Sequence, residues 1–258
     1  MPGLESTHAP IKEVFCSVQG EGPYVGTRQA FVRFSGCNLN CNYCDTNFAD
    51  SETCNYESAE GSGIFEKRPN PVSLDQLQDI LQPFKKLHSI SLTGGEPLLY
   101  ADFMKNLDLS APFYLESNMT LPEQAVKVSK KVRYVSGDFK LPEVIQKLSP
   151  AGKEAHIENT IKCFRVLRKT SSRDCFCKIV VGKNTTPATL IQAGEAIAPY
   201  VSTIILQPET SIGNQEIPGK STYFTQASIQ KILELQKKLL ELTDTRIVPQ
   251  THRMWGCL

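Results

Sequence analysis

Gln29-Ala-Phe-Val-Arg33-Phe-Ser-Gly36-Cys37-Asn-Leu-Asn-Cys41-Asn-Tyr43-Cys44 runs an apolar strand pattern straight into three closely spaced thiols. Over 29–34 the side chains alternate, with Gln29, Phe31 and Arg33 on one face and Val32 and Phe34 on the other. Three thiolates at C-x3-C-x2-C spacing suit three corners of a cubane [4Fe–4S] cluster. The motif offers the fourth iron no ligand. A pure electron carrier would normally supply a fourth Cys, so the spacing points to a cluster open for another molecule to bind. Tyr43, just before the last Cys, can offer a flat surface beside that open iron. Structural zinc is the rival, and Cys54 could complete a tetrahedral set, but zinc sites usually present two paired knuckles where this chain has one triplet.

Working outward, apolar runs and amphipathic stretches alternate from end to end. Strands are expected at Ile11–Cys16, Gln29–Phe34, Ser89–Leu92, Phe113–Glu116, Val132–Ser136, Cys175–Val181, Ser202–Leu206 and Arg246–Val248. Between them, Leu74, Leu77, Ile80, Leu81 and Phe84 share a helical face, and Ser73 with Gln76 makes a capping box. Ile157, Ile161, Phe164 and Leu167 suit a second helix. Thr186-Pro187 reads as N-cap and first residue of a third, over Leu190–Ala198. A last helix is expected over Ser228–Leu242, with Ile232, Leu235, Leu239 and Leu242 inward. Such alternation implies βα units and a mostly parallel sheet. Asp50–Pro71 and Gln207–Thr222 break the rhythm and read as long polar loops, the first an insertion. With no repeat or heptad run, one domain over 1–258 is the economical organisation, closed by a segment at about 246–258.

Composition bounds the function. The chain has 258 residues, long enough for a sizeable core, and a formal charge of +1, which leaves no basic excess for nucleic acid. No run approaches the ~20 apolar residues of a membrane span, and the first residues lack the apolar core of a signal peptide. A reducing cytoplasm is therefore expected, where nine cysteines read as ligands and small buried hydrophobes rather than disulfides. Cys16, Cys163, Cys175 and Cys177 fall in apolar patterns of the second kind.

A second motif, Thr93-Gly94-Gly95-Glu96-Pro97, follows the apolar run Ile90–Leu92. Paired glycines let backbone approach a ligand closely, and Glu96 offers a carboxylate to a cationic amine. Arg33 faces inward, which is unfavourable unless an anion meets it. A substrate carboxylate is one candidate, since the planar fork binds carboxylates bidentately. An internal pair with Glu13 or Glu116 is the other.

The cysteine triplet and the Thr-Gly-Gly-Glu-Pro segment together resemble the radical S-adenosylmethionine (SAM) superfamily. Adding Gln19-Gly20-Glu21-Gly22, Phe31–Cys37, Cys44-Asp45-Thr46 and the ending Gln250-Thr251-His252-Arg-Met-Trp255-Gly256 narrows the likeness to the 7-carboxy-7-deazaguanine synthase family. Two departures stand out: the length of 50–71, and Glu116-Ser117-Asn118-Met119 where Glu-Thr-Asn-Gly is common. A glycyl-radical-enzyme activase of the same superfamily is the alternative, and a non-enzymatic zinc module a more distant one.

The resemblance implies a partial (β/α) barrel with its site at the C-terminal strand ends. It implies ring contraction of 6-carboxy-5,6,7,8-tetrahydropterin to 7-carboxy-7-deazaguanine with loss of ammonia. Cys37, Cys41 and Cys44 would hold the cluster and Cys54 none of it. SAM would lie along Tyr43, Gly95, Glu96, Ser136, Asp138, Lys140 and the Gln207-Pro208-Glu209-Thr210 loop. Gln19, Gly20, Glu21, Arg33, Thr93, Glu116, His252 and the terminal carboxylate of Leu258 would surround the pterin, with Thr46 ligating Mg²⁺ at its carboxylate. A flavodoxin- or ferredoxin-type reductant and a homodimer belong to the same expectation.

Overall fold

The computed structural model describes residues 6–41, 44, 51–145, 149–182, 185–209 and 226–257, with backbone alone at 226–228. The chain enters through β1 (His8–Ala9) and β2 (Ile11–Val18), then β3 (Arg28–Phe34), which returns antiparallel to β2. Next come β4 (Thr53–Glu57), β5 (Phe65–Pro69), β6 (Val72–Ser73) and α1 (Leu74–Leu81). From there strand and helix alternate: β7 (Ser89–Gly94), α2 (Ala101–Asn106), β8 (Phe113–Ser117), α3 (Pro122–Val128), β9 (Val132–Asp138), α4 (Pro150–Val166), β10 (Asp174–Val181), α5 (Pro187–Ile197), β11 (Thr203–Pro208), α6 (Gln226–Leu239), β12 (Asp244–Ile247) and α7 (Thr251–Trp255).

The main sheet runs β12-β11-β10-β9-β8-β7-β3-β2-β4-β5, and every neighbour pair from β3 to β12 is parallel. From β7 to β12 strands that neighbour in sequence also neighbour in space, yet β12 and β5 end the sheet without pairing to each other. This is the partial (β/α) barrel expected, with βα connections carrying helices over one face.

Side-chain alternation separates the two faces. Val32, Phe34, Ile90, Leu92, Leu115, Val135, Cys175, Cys177, Ile179, Ile204 and Leu206 join the apolar core with the helices. The opposite face is layered. At its lower level Tyr114, Phe176 and Ile205 are fully buried with Tyr24, Tyr134 and Val248 against them. Tyr24 packs on His88, Tyr114, Tyr134 and Phe176 and donates its hydroxyl to Asp174 at 2.7 Å. That aromatic plug closes the bottom of the barrel. Above it, towards the C-terminal strand ends, the buried side chains turn polar at Thr93, Lys178 and Gln207. Gln29, near the start of β3, and Ser91, level with Tyr114, are buried polar groups lower down.

The helix caps agree with the sequence. Ser73 accepts the Gln76 N–H while Gln76 accepts the Ser73 N–H, and Thr186 accepts the Thr189 N–H ahead of α5. Three expectations change. The segment Asp50–Pro71 contains a hairpin, β4–β5, that extends the sheet through a parallel pairing of β4 with β2. Glu57 holds its turn by accepting the Gly61, Gly63 and Cys16 N–H groups. Leu242 lies beyond α6 and is exposed, whereas Ile232, Leu235 and Leu239 are buried. In α4 the buried residues are His156, Thr160, Cys163 and Phe164, because His156 bonds the Lys140 carbonyl and Thr160 returns its hydroxyl to the His156 carbonyl; Ile157 and Ile161 are only half-buried.

Candidate active site

A cavity of about 480 Å³ opens above the aromatic plug at the C-terminal ends of the strands. Cys37, Cys41 and Cys44 line one wall, and Gln19, Gly20, Glu21, Arg33, Thr93, Glu116 and His252 line it as well. So do Gly95, Asp138, Lys140, Gln207, Pro208 and Glu209. Tyr43, Thr46, Thr210 and Leu258 lie outside the described residues.

The cysteine wall is fixed from behind by the second motif. Gly94 ends β7 opposite Phe34 with φ of 125°, and a Cβ there would fall 2.3 Å from the Phe34 oxygen. Only glycine fits. Gly95 then donates to the Phe34 carbonyl and Glu96 to the Gly36 carbonyl, so the segment is laced onto the residues just before Cys37. Cys41 forms a bridge with Ile145, and Cys44 donates its N–H to the Cys41 carbonyl. Among the described residues no three His, Cys, Asp or Glu side chains converge on a point where one metal ion could sit. Three Cys on one cavity wall, with no other Cys among the described residues of that lining, leave one iron of a cubane without a protein ligand, as the spacing predicts. The residues present therefore fit a [4Fe–4S] cluster.

Cys54 is elsewhere: fully buried in the apolar core on β4, its thiol pushed up to about 12 by burial. We expect Cys54→Ala to retain full iron after anaerobic reconstitution, whereas Cys41→Ala loses it. Iron lost from Cys54→Ala would reassign the ligand set.

Two residues expected along SAM do not reach the cavity. Glu96 is fully buried and its carboxylate is already occupied: Oε1 accepts the Leu98 N–H and the Ser117 hydroxyl, and Oε2 accepts the Asn118 N–H at 2.7 Å. Burial pushes its carboxyl up to about 7 against those three donors. Here Glu96 ties β7 to β8, and Gly94, Gly95, Ser117 and Asn118 present the surface a ligand meets. Ser136 is buried beneath the cavity against the Tyr114 hydroxyl, because it sits one inward step below Asp138 on β9.

The polar floor is a network. Glu116 accepts Gln19 Nε2 at 3.0 Å and the Ser91 hydroxyl at 2.8 Å, and Gln19 Nε2 also reaches Gln29. Arg33 makes the internal pair weighed from sequence, its Nε meeting Glu13 Oε1 at 2.6 Å, and it also lines the cavity and lies over the Phe15 ring.

Lys178 is a charged residue of the cavity lining that motif reading missed. Its ammonium, 7% exposed, pairs with Glu21 and lies 3.4 Å from Asp138, which also holds Lys140 at 2.9 Å. Burial pushes the Glu21 carboxyl up, but the charge of Lys178 and hydrogen bonds from Lys178 and Gln250 outweigh it and hold it at about 2. The available signal was a lone charge in the apolar run Cys175–Val181, on the face opposite Cys175 and Cys177. Gln250, also missed, donates to Glu21 Oε1 at 2.8 Å from the residue before α7.

The C-terminal segment closes over this floor. Thr251 donates both N–H and hydroxyl to the Gly20 carbonyl, and His252 packs where a Gly20 Cβ would stand, 2.4 Å from its Nδ1. We expect Gly20→Ala to displace His252, lower Tm by the equivalent of about 1–3 kcal/mol of overpacking, and raise KM for the pterin. Unchanged Tm and KM would show that α7 yields without consequence.

Residues 31–197 match the family model described as the Radical SAM superfamily. Over 96% of this chain and 98% of its relative, the sequence is 41% identical to a 7-carboxy-7-deazaguanine synthase from Archaeoglobus fulgidus. The chain belongs to the 7-carboxy-7-deazaguanine synthase family. A family member from Geobacter sulfurreducens is 36% identical over 97% of this chain and 98% of its own. In fold, the crystal structure of QueE from Escherichia coli matches with TM-score 0.51 at 19% identity, covering 96% of this chain and 97% of that one. Full-length relatives of this kind favour the synthase over the activase and zinc-module alternatives. Among the described residues no helix is long and apolar enough to cross a membrane.

Proposed function

We propose that the cavity holds the pterin between Gln19–Glu21, Arg33, Thr93, Glu116 and His252, and SAM along Gly94–Gly95, Asp138–Lys140 and Gln207–Glu209. The activity served is that of the family: radical SAM ring contraction of 6-carboxy-5,6,7,8-tetrahydropterin to 7-carboxy-7-deazaguanine, a carbon–nitrogen lyase reaction of 7-deazapurine biosynthesis. The observation that carries the assignment of subsites is that the three cysteines share one cavity with Arg33 and Glu116.

The chemistry supplied by the bound cluster and SAM is one-electron: reductive cleavage of SAM and hydrogen abstraction from C6 of the pterin. This chain's residues bind, orient and shield. Arg33 turns its planar fork to the substrate carboxylate while Glu13 steadies Nε. Glu116 and Glu21 accept from the ring amine and ring N–H groups, and Lys178 keeps Glu21 ionised for that task. Gln207 keeps Nε2 at 3.4 Å from Glu21, while its buried Oε1 has no partner among the described residues and is free to accept from a ligand. The aromatic plug closes the lower end of the cavity, which limits side reactions of a reactive intermediate.

Mg²⁺ held by Thr46, a low-potential flavodoxin or ferredoxin as reductant, a homodimer and a cytoplasmic setting complete the proposal on the strength of the resemblance. The test is anaerobic reconstitution followed by mass detection of product from carboxytetrahydropterin, SAM and reductant. Formation of the deazapurine acid is expected. SAM cleavage with the pterin left intact would overturn the substrate.

A further inference from the structure

Three consecutive residues at the end of β8 face three different tasks. Glu116 lines the polar floor, Ser117 holds Glu96, and Asn118 turns to the cysteine wall. Asn118 Nδ2 lies 2.9 Å from Asn38 Oδ1 and 3.9 Å from Cys37 Sγ. Its Oδ1 accepts the Thr120 hydroxyl at 2.6 Å, and Thr120 Oγ1 accepts Asn38 Nδ2 at 2.8 Å. The three side chains thus form a closed ring of hydrogen bonds beside Cys37. The ring is rigidly placed: the Asn118 N–H is bound to Glu96, and the turn into Thr120 passes through Met119, which is fully buried at φ 59°. Cys37 Sγ also accepts the Leu39 N–H at 3.4 Å. Asn118 is thereby a side-chain amide aimed at a thiol that no sequence motif assigned to it.

We propose that Asn118 is a positioning residue for Cys37, setting its direction through the Asn38–Thr120 ring and tuning the reduction potential of the cluster through an N–H to sulfur contact. The inference rests on the reading of Cys37 as a cluster ligand. Hydrogen bonds to the sulfurs are one of the determinants of cluster potential. A donor favours the reduced form, which carries the extra negative charge, so its loss drives the midpoint more negative. Partners hydrogen-bonded to a metal ligand act on a site in this way without touching the reacting atoms.

The test uses the full chain, reconstituted anaerobically, without SAM or pterin. Iron per chain, the EPR spectrum of the reduced cluster and the midpoint potential are measured for wild type, Asn118→Ala and Asn118→Asp. Asp keeps the acceptor for Thr120 but removes the donor to sulfur and adds negative charge. Both variants should hold wild-type iron, and at a fixed solution potential their reduced fraction should fall about two- to tenfold, the net worth of one hydrogen bond. Asp should fall further than Ala, and the EPR g-values should move. Cluster loss from a folded Asn118→Asp chain would overturn the tuning role, because Asn118 would then be needed to hold the cluster at all. Unchanged midpoint and spectrum at full iron content would overturn it, as would failure of both variants to fold, which would make Asn118 a residue of the fold. An iron-free wild type would instead sink the cluster reading itself.

Discussion

Replacing Lys178 by methionine is expected to lower Tm by roughly 6–20 °C and to abolish turnover of the pterin. Lys178 is buried with Glu21 and Asp138 as partners. Removing one member of a buried ion pair costs about 3–5 kcal/mol, because the carboxylate left behind is uncompensated, and each kcal/mol moves Tm by about 2–4 °C in a chain near this size. The pH dependence identifies the cause. In the wild type the Glu21 carboxyl is held at about 2, below its unfolded range. Its contribution is therefore complete above the ordinary glutamate pKa and is lost only as pH falls towards 2. Stability owed to Glu21 is flat from pH 5 to 8. Without Lys178, burial acts on Glu21 with its main opposing charge gone, and the folded pKa rises above the unfolded one. Stability should then decline as pH rises through that same window. Thermal melts of Lys178→Met and wild type at pH 5, 6.5 and 8 decide the matter. Parallel curves would mean that the charge of Lys178 is not what holds Glu21. Lys178→Arg, which keeps a cation, should restore the flat profile even where turnover stays low.

What the sequence revealed, and what it hid, follows from how far each interaction reaches. The βα rhythm and the caps at Ser73 and Thr186 are local, decided within a few residues, and both were legible. The hairpin β4–β5 was not. Its strand Phe65–Pro69 exposes most of its side chains, so no alternation of buried residues marks it, and Gly61, Gly63 and Pro69 read as loop. The cavity was legible where motifs carried it, at the cysteines and the Gly94–Gly95 turn. Lys178 and Glu21 are 157 residues apart and meet only because β10 and the segment after β2 face the same interior. Glu96 shows the reverse situation. Its motif was recognised, but whether a carboxylate turns to a ligand or to nearby N–H groups depends on the end of β8, where Ser117 and Asn118 supply the donors.

The second large effect is expected at Arg33. The pair with Glu13 is partly exposed, with side chains 23% and 24% accessible. Such a pair contributes about 1 kcal/mol or less, so Arg33→Ala should leave Tm nearly unchanged. Its effect on turnover should be far larger. A hydrogen bond to a charged group is worth about 1.5–3 kcal/mol, or roughly 10- to 150-fold at 1.4 kcal/mol per decade. Loss of a bidentate contact to the substrate carboxylate should reach the upper end of that range. The loss should appear in kcat/KM for the carboxypterin, while iron content and SAM cleavage in the absence of pterin stay near wild type. Arg33→Lys keeps the charge without the planar fork and should recover only part of the activity. Glu13→Gln supplies the control, since it removes the structural partner and spares the guanidinium. If Glu13→Gln matched Arg33→Ala in activity, the pair itself would be the functional unit. If Arg33→Ala turned over carboxypterin normally, the guanidinium would serve only Glu13 and the carboxylate would have to be met elsewhere in the cavity. Lys12, Lys140 and Arg253 are the other cationic side chains of that lining outside the Lys178 pairing. A decarboxylated pterin analogue separates these outcomes. Arg33 reads the carboxylate if Arg33→Ala binds the carboxypterin more weakly than wild type yet binds the analogue equally well. Equal binding of both compounds by both proteins would leave the guanidinium to Glu13 alone.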